Sequence, residues 1–168
     1  VAMENPTYIS AYRCFAKLGY AMCTISIDEA GMRPAELEKS GADLAYIMPS
    51  HQFPMGMVMP MKRRMQLLAW ASRENGRYLI EDDYDSEFRY KGRPIPALQG
   101  NDTEGKVIYL GTFSRAIAPS IRISYMVLPE TLLPAYEENG RCFSATVSKT
   151  DQKILEEFMR SGAFERHL

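Results

Sequence analysis

The sequence predicts an α/β fold, in which helices pack on the faces of a sheet. Short apolar runs alternate with longer segments whose apolar residues recur at helical spacing, and this alternation is typical of the class. The run 44–48 is apolar throughout and ends at Pro49, as expected for a strand that is buried on both faces. The 168 residues are enough to enclose one hydrophobic core, so a single domain is expected.

The first part of the chain predicts two strands and two helices. The chain opens inside a short strand, and Pro6 separates this strand from a helix predicted over 7–18. Aromatic and apolar residues follow one face of that helix, and a glycine stops it. Residues 21–27 alternate loosely and carry β-branched side chains, which predicts a strand. A short helix is predicted over 34–39, with a proline in its first turn.

The same alternation continues to the end of the chain. A long helix is predicted from Pro60 to about Gly76, with apolar residues on one face and basic residues elsewhere. A later helix covers 153–160, and the stretch from Lys91 to Gly105 is interpreted as a loop. Further strands are predicted at 44–48, 78–81, 107–110 and 123–128.

Composition excludes several classes of function. The net charge is -1 and the basic residues are scattered, so this segment alone is not expected to bind nucleic acid. The three cysteines lack the spacing of a disulfide framework or a zinc site, which favours a reducing, cytoplasmic setting. The sequence contains no apolar run of the roughly 20 residues that a membrane-spanning helix needs, so no membrane association is expected.

The acidic string EDDYD at 81–85 follows a predicted strand directly. Open α/β sheets bind their ligands at the carboxyl ends of the strands. A carboxylate fixed there can hold a proton on a ligand nitrogen through a charge-assisted hydrogen bond, and Tyr84 could donate to a phenolate-like oxygen. A solvated acidic turn accounts for the same string, so this motif is weak alone.

A second candidate is the loop PSHQFPMG at 49–56, which follows a buried strand. Its two prolines and its glycine make it rigid, so it could present His51 or Gln52 to a bound ring. The alternative is a histidine that only satisfies carbonyl groups of the turn.

A third candidate group consists of Thr112, Ser114 and Arg122. Two hydroxyls, the backbone donors of a strand-to-helix turn and a guanidinium are the components of a phosphate site. An ordinary polar turn beside a surface arginine is the alternative.

Taken in order, the motifs resemble a known family. They are ENP at 4–6 with Tyr8, PSHQFP at 49–54 with Gly56, IEDDYDSEF at 80–88, and YLGTFSR at 109–115 continuing to RISY at 122–125. This series resembles the aminotransferase-like domain of MocR-type regulators in the GntR family, and GAFERHL at 162–168 is similar to a further segment of it. The resemblance covers essentially the whole chain, and PSHQFP together with EDDYDSEFRY is specific to this branch.

The resemblance implies the large domain of fold-type I aminotransferases. Together with the alternation of elements, it predicts a three-layer α/β/α domain with a mostly parallel sheet, in which strand 123–128 runs antiparallel to its neighbours. The family implies pyridoxal phosphate as cofactor. Asp82 would pair with the pyridine nitrogen, Tyr84 would contact the phenolic oxygen, and the phosphate would be held by the third candidate group.

The strand ends should bring these residues together. We expect His51, Asp82, Tyr84 and Ser114 to converge on one edge of the sheet, with Arg122 facing the same cavity.

The sequence departs from the family at position 115. The family motif has a lysine there, which forms the internal aldimine, whereas this chain has Arg115. Formation of a Schiff base needs a neutral amine, and a guanidinium is planar, delocalised and protonated at any working pH. The resemblance therefore implies that no catalytic lysine is present and that any cofactor is bound non-covalently.

The family also has parts that these residues do not include. A winged-helix DNA-binding domain precedes the cofactor domain, and a small domain follows it. The pocket is completed across a homodimer. Residues 1–168 are therefore expected to be one truncated domain that binds cofactor or a small amino-acid-like effector, with DNA bound only through the domain absent here.

Three functions stay open at this point. The first is a ligand-sensing regulatory domain of a bacterial transcription regulator. The second is an aminotransferase, although such enzymes more often show Asn-Pro-x-Gly where this chain has FPMG at 53–56, and they require the lysine. The third is a remnant that serves only in dimerisation.

Overall fold

A seven-stranded sheet forms the centre of the molecule, with strand order β3-β2-β1-β4-β5-β6-β7. The computed structural model describes residues 1–85, 96–140, 142–143 and 147–168. The strands are β1 Ala2–Asn5, β2 Cys23–Asp28, β3 Gly31–Met32, β4 Leu44–Ile47, β5 Tyr78–Asp83, β6 Val107–Thr112 and β7 Ser124–Val127. Most of this sheet is parallel, as the sequence predicts.

Strand direction decides where ligands can bind. β1, β2, β4, β5 and β6 run parallel to one another. The short β3 and the edge strand β7 are antiparallel to β2 and β6, respectively. The antiparallel direction that the resemblance implies for the last strand is thus confirmed. The carboxyl ends of the parallel strands meet at one edge of the sheet, and β7 begins at that edge.

Helices cover both faces of the sheet. The α-helices are α1 Ile9–Lys17, α2 Pro34–Lys39, α3 Met61–Ser72, α4 Leu133–Gly140, α5 Lys149–Arg160 and α6 Ala163–His167, and short 3-10 turns lie at Gln99–Asn101 and Glu130–Leu132. Buried residues of α2 and α3 pack with Ala45 and Leu79 on one face, while α1 packs on the other. The predicted three-layer α/β/α architecture is confirmed.

The two faces are buried to different degrees. On the face covered by α3, Leu67 and Trp70 lie fully buried against strand residues such as Ile47. On the opposite face, α1 contributes only partly buried side chains, among them Tyr12 and Phe15. The sheet is therefore more open to solvent on the α1 face.

Several element boundaries differ from the predictions. Helix α1 begins two residues late: the backbone of Tyr8 is still extended, and Tyr8 forms the cap of the helix. Helix α5 begins four residues early, because the Ser148 side chain accepts a hydrogen bond from the backbone N–H of Asp151 and caps it. The antiparallel β3 and the exposed helix α4 are additional elements that the sequence did not indicate.

Two sequence-based predictions fall partly outside the described residues. The predicted loop from Lys91 to Gly105 is described only from residue 96, and positions 86–88 of the acidic motif are not described. In the ranges that the structure covers, no helix is long and apolar enough to cross a membrane.

A buried ionic pair holds the loop after β4 and the segment before β6, which both lie at the carboxyl ends of the parallel strands. Arg64 of α3 and Glu81 of β5 are both fully buried, and their nearest charged atoms are 4.0 Å apart. The guanidinium donates to the carbonyl oxygens of Pro49, Met59 and Pro96. The Glu81 carboxylate accepts the backbone N–H groups that begin the first 3-10 turn, at 2.8 Å each. Both charged groups thus form their hydrogen bonds with backbone groups.

Glu4, near the carboxyl end of β1, is another buried carboxyl group. Neither of its carboxylate oxygens has a hydrogen-bond partner in the described part of the chain. Burial raises the pKa of Glu4 to about 7, and the nearby Gln52 side chain and backbone amides of Met48 and Met32 offset only part of this effect.

The first prediction concerns Arg64. Replacing it with methionine leaves Glu81 buried without its cation and leaves three carbonyl groups without a donor. We expect the free energy of unfolding to fall by about 3–5 kcal/mol, measured by urea denaturation with the fluorescence of Trp70 as signal. Lys62→Met is the matched control on the exposed side of the same helix, and it should change stability little. Equal effects of the two substitutions would contradict the role assigned to Arg64.

The second prediction concerns the pH dependence of stability. Because the pKa of Glu4 is raised from 4.5 to about 7 on folding, the stability linked to its protonation is complete below pH 4.5 and is lost as the pH rises through 7. The Glu4→Gln variant should not show this loss. Its free energy of unfolding, compared with that of the wild type at the same pH, should therefore rise by on the order of 3 kcal/mol from pH 4 to pH 8.

Urea denaturation at several pH values measures this difference. Glu29→Gln is the control, since Glu29 is exposed. A difference between Glu4→Gln and wild type that stays constant with pH would refute the prediction.

Candidate functional site

Polar side chains gather where the parallel strands end. β4 leads into the loop that carries His51, β5 ends in the acidic string, and β6 leads into the turn that carries Ser114. β4 and β5 are neighbours in the sheet, as are β5 and β6. Three of the predicted segments therefore meet at one edge.

Asp82 lies in β5, with its side chain on the α1 face. The hydroxyl of Tyr46, on the neighbouring β4, donates a hydrogen bond to the Asp82 carboxylate. Burial raises the pKa of Asp82, and the adjacent Asp83 raises it further, whereas the Tyr46 hydrogen bond lowers it. Burial and the Asp82 charge raise the pKa of Tyr46 in turn. Tyr46 therefore stays a phenol and acts as a donor that orients Asp82.

A cavity of about 380 Å³ opens beside Asp82. Thr112, Ser124 and Tyr136 of α4 are among the residues that line it. The remaining lining residues belong to β6 and β7: Leu110, Gly111, Tyr125 and Met126. The cavity therefore combines a carboxyl group, hydroxyl groups and apolar surface, as small-molecule sites usually do.

Gly111 allows β6 and β7 to approach at this cavity. The ring of Tyr125 lies over Gly111 so closely that a Cβ at position 111 would overlap its atoms. Tyr125 in turn packs against Phe113, with ring centroids 5.3 Å apart. A glycine is thus required here by the close contact of an aromatic ring.

His51 belongs to a second cluster at the same edge. Its Nδ1 lies 2.7 Å from Oδ2 of Asp85, a carboxylate that is only 2% exposed. The His51 ring stacks on Tyr84, with centroids 5.8 Å apart and planes at 21°. The Arg115 guanidinium lies 5.5 Å from the Tyr84 ring centre, and its Nη2 is 3.9 Å from the same Asp85 oxygen. Asp85 thus faces both a histidine and a guanidinium.

Gln52 fixes the loop that carries His51. Its buried side-chain amide donates to the carbonyl oxygen of Pro6 at 2.8 Å, and its side-chain oxygen accepts the N–H of Met55 at 3.1 Å. The loop is therefore held to the chain that follows β1. Of the two polar residues that the sequence proposed here, His51 is partly exposed and pairs with Asp85, whereas Gln52 serves as a structural tie.

The turn after β6 is held by its own side chains. The Ser114 hydroxyl donates to the carbonyl oxygen of Ile121 at 2.6 Å, and Thr112 Oγ1 accepts the Ser114 N–H at 3.2 Å. Arg122 reaches the Ser114 hydroxyl at 3.5 Å. The expected strand-to-helix turn is absent: residues 114–117 form turns, because these bonds close the chain back onto β7.

The predicted residues thus fall into neighbouring groups at one edge. Asp82 and Thr112 line the cavity, His51 and Tyr84 stack beside it, and the Ser114 and Arg122 pair occupies the turn. In the part of the chain that the structure describes, Arg122 is not among the residues of the cavity wall. Its guanidinium lies at the Ser114 hydroxyl instead.

Sequence reasoning did not single out four residues of the site. They are Tyr46, Asp85, Ser124 and Tyr136. Pairing of β4 with β5 could have indicated Tyr46, because parallel neighbours that alternate on the same face lie side by side. Asp85 and Ser124 lie inside the quoted motifs, whereas α4 carries no signal that points Tyr136 to the site.

Comparisons with known proteins agree with this architecture. No family model matches the chain. It is 42% identical over its full length to the uncharacterized HTH-type transcriptional regulator YdeL of Bacillus subtilis, and covers 36% of that protein. It is 35% identical over 99% of its length to the probable rhizopine catabolism regulatory protein MocR of Rhizobium meliloti, covering 34% of it. It thus spans about a third of these regulators.

Enzymes are also among the similar proteins. The aromatic-amino-acid aminotransferase 1 of Thermococcus litoralis is 31% identical over the full chain, which covers 42% of the enzyme. The crystal structure of Pyrococcus horikoshii kynurenine aminotransferase matches the chain with a TM-score of 0.91 at 31% identity. The match covers 99% of this chain and 43% of the enzyme.

A second solved structure contains a phosphopyridoxyl ligand. LysN, the α-aminoadipate aminotransferase of Thermus thermophilus, was crystallised with N-(5′-phosphopyridoxyl)-L-leucine. It has a TM-score of 0.82 at 27% identity, over 99% of this chain and 45% of LysN. Fold and sequence together confirm the resemblance: the chain has the α/β fold of the solved aminotransferases and is similar to a segment of MocR and of other HTH-type regulators.

Proposed function

We propose that the chain is the ligand-sensing domain of a bacterial, cytoplasmic GntR-family regulator, and that it holds a pyridoxal phosphate-type ligand without a covalent bond. Similarity to HTH-type regulators supports the regulatory role. The observation that carries the non-covalent part is Arg115, which occupies the motif position of the lysine and lies against Tyr84 and Asp85 at the site edge.

The residues around the cavity fit the ring of such a ligand. Asp82 has one carboxylate oxygen bonded to Tyr46 and borders the cavity, so it can accept a hydrogen bond from a protonated ring nitrogen. Tyr84 lies at the same edge and would contact the phenolic oxygen. His51, stacked on Tyr84, would sit against the bound ring.

The turn after β6 fits the phosphate group. Arg122 is exposed and would supply the charge, while Thr112 and Ser114 would supply hydroxyl groups. The Ser114 hydroxyl already donates to Ile121, so it would bind phosphate only after exchanging that partner. Arg122 is therefore the main phosphate ligand in this proposal.

Arg115 decides which chemistry the site can perform. When bound to an enzyme lysine, pyridoxal phosphate acts as an electron sink for reactions at the α-carbon of amino acids. Arg115 carries no amine, and a planar, delocalised guanidinium does not replace an amine as the nucleophile at a carbonyl carbon. The residues of this chain can hold and orient the ring, and the site proposed here is a sensor.

The remaining parts of the function are assigned to segments outside these residues. The chain spans 36% of the regulator YdeL. We propose that 1–168 is one truncated cofactor or effector domain, that a winged-helix segment of the whole protein binds DNA, and that the small domain and a second subunit complete the pocket. The effector would be a small amino-acid-like molecule.

An aminotransferase is the second candidate, and the close structural match to kynurenine aminotransferase favours it. Arg115 opposes it, since transamination through this cofactor needs the amine. A domain that serves only in dimerisation would require none of the contacts around Asp82.

The third prediction tests the missing amine. Pyridoxal phosphate added to the full-length protein and treated with borohydride should leave no pyridoxyl adduct at residue 115, and transamination should be undetectable. Arg115→Lys should restore an adduct at this position, because it supplies the amine, provided that burial and neighbouring charge also lower the pKa of that lysine. Peptide mass spectrometry locates the adduct.

Two outcomes would count against the proposal. A stoichiometric adduct on another lysine of the wild-type protein, accompanied by turnover, would show that the chain is an enzyme. An Arg115→Lys variant that forms no adduct while wild type also fails to bind the cofactor would favour the dimerisation remnant.

A further inference from the structure

The Asp82 carboxylate has no cation beside it in the part of the chain that the structure describes. No lysine or arginine there forms an ion pair with it, and its hydrogen-bond partner is the Tyr46 hydroxyl. The carboxylate borders the cavity beside β6 and β7. Burial favours uptake of a proton by such a group, whereas the hydrogen bond from Tyr46 stabilises its ionised form.

The other ionisable groups around this pair do not stabilise a negative charge on Asp82. They are carboxyl or phenol groups, which carry a negative charge or none at neutral pH. Asp83 raises the pKa of Asp82 further. Among the described residues, Tyr46 is therefore the group that favours an ionised Asp82. The groups that face the pair are, by element, Glu4 of β1, Tyr8 at the cap of α1, Asp83 of β5, Tyr125 of β7 and Tyr136 of α4.

Packing fixes the ring of Tyr46. The residue is 3% exposed and belongs to the apolar cluster on the α1 face. Phe15 of α1 meets its ring edge to face, with centroids 6.1 Å apart. Tyr46 is paired with Ile80, and Asp82 lies two residues further along β5 on the same face. The hydroxyl is thus in place before a ligand binds, which lowers the entropic cost of ordering Asp82 for binding.

We propose that Tyr46 is a positioning residue of the site: it holds the Asp82 carboxylate ionised and oriented, so that the cavity prefers a ring with a protonated nitrogen over a ring of the same shape without it. This inference rests on the proposed function. In the described part of the chain Tyr46 is not in the cavity wall, so it acts through Asp82 and not on the ligand. Without the hydroxyl, Asp82 takes up a proton near neutral pH and no longer offers the ring nitrogen a charged acceptor.

The experiment compares two probes that differ in one ring atom. They are pyridoxamine 5′-phosphate and its 1-deaza analogue, in which a C–H group replaces the ring nitrogen. Titration calorimetry on the full-length protein at neutral pH gives both dissociation constants. The wild type should bind the first probe about tenfold more tightly, because only this probe supplies a cation to Asp82. Tyr46→Phe should reduce this ratio to about twofold or less and change the affinity for the deaza analogue little.

The pH profile distinguishes positioning from a structural role. The Tyr46 hydrogen bond lowers the pKa of Asp82, so Tyr46→Phe should lose the preference at a higher pH than the wild type does on acidification. Infrared titration of the Asp82 carboxyl group in the unliganded protein should show the same upward shift, with Asp82→Asn to assign the band. Tyr12→Phe is the matched control, since Tyr12 belongs to the same apolar cluster, and it should change neither measurement.

Three results would count against these assignments. A Tyr46→Phe variant with the ratio and pH profile of the wild type would overturn the inference and leave the proposed function intact. Loss of affinity for both probes by the same factor would give Tyr46 a purely structural role and would also overturn the inference alone. Wild type that binds neither probe would overturn the proposed function together with the inference.

Discussion

The buried pair of Arg64 and Glu81 is the constraint on which the site edge depends. A fully buried charge must be compensated, and here most of the compensation comes from backbone groups of the connections after β4 and before β6. The loop that carries His51 is therefore held in part by this charged pair and in part by the Gln52 side chain.

Strand alternation connects this scaffold to the site. Glu81 and Asp82 are consecutive in β5, so their side chains point to opposite faces of the sheet. Glu81 reaches α3 and the buried backbone, whereas Asp82 reaches Tyr46 and the cavity on the more open α1 face. The acidic string thus contains both a structural carboxylate and a candidate ligand carboxylate.

The alternation of elements together with the family resemblance predicted the layers and the mostly parallel sheet, and the strand ends predicted the grouping at the sheet edge. Sequence patterns missed β3, which is too short to show a period, and α4, which buries no residue and so has no apolar stripe. Within the site, the hydrogen bond from Tyr46 to Asp82 and the pairing of His51 with Asp85 depend on contacts between distant segments. Local spacing carries no information on such contacts.

The adjacency of Glu81 and Asp82 also restricts how proteins of this architecture can diverge. A one-residue insertion or deletion in β5 would exchange the two faces, placing the structural carboxylate in the cavity and the cavity carboxylate against α3. Length changes in this strand should therefore prevent folding, whereas point substitutions at Asp82 should leave the buried pair of Arg64 and Glu81 intact. New ligand preferences are accessible mainly through single replacements at strand ends and in the turns beyond them, and Arg115 is a replacement of that kind.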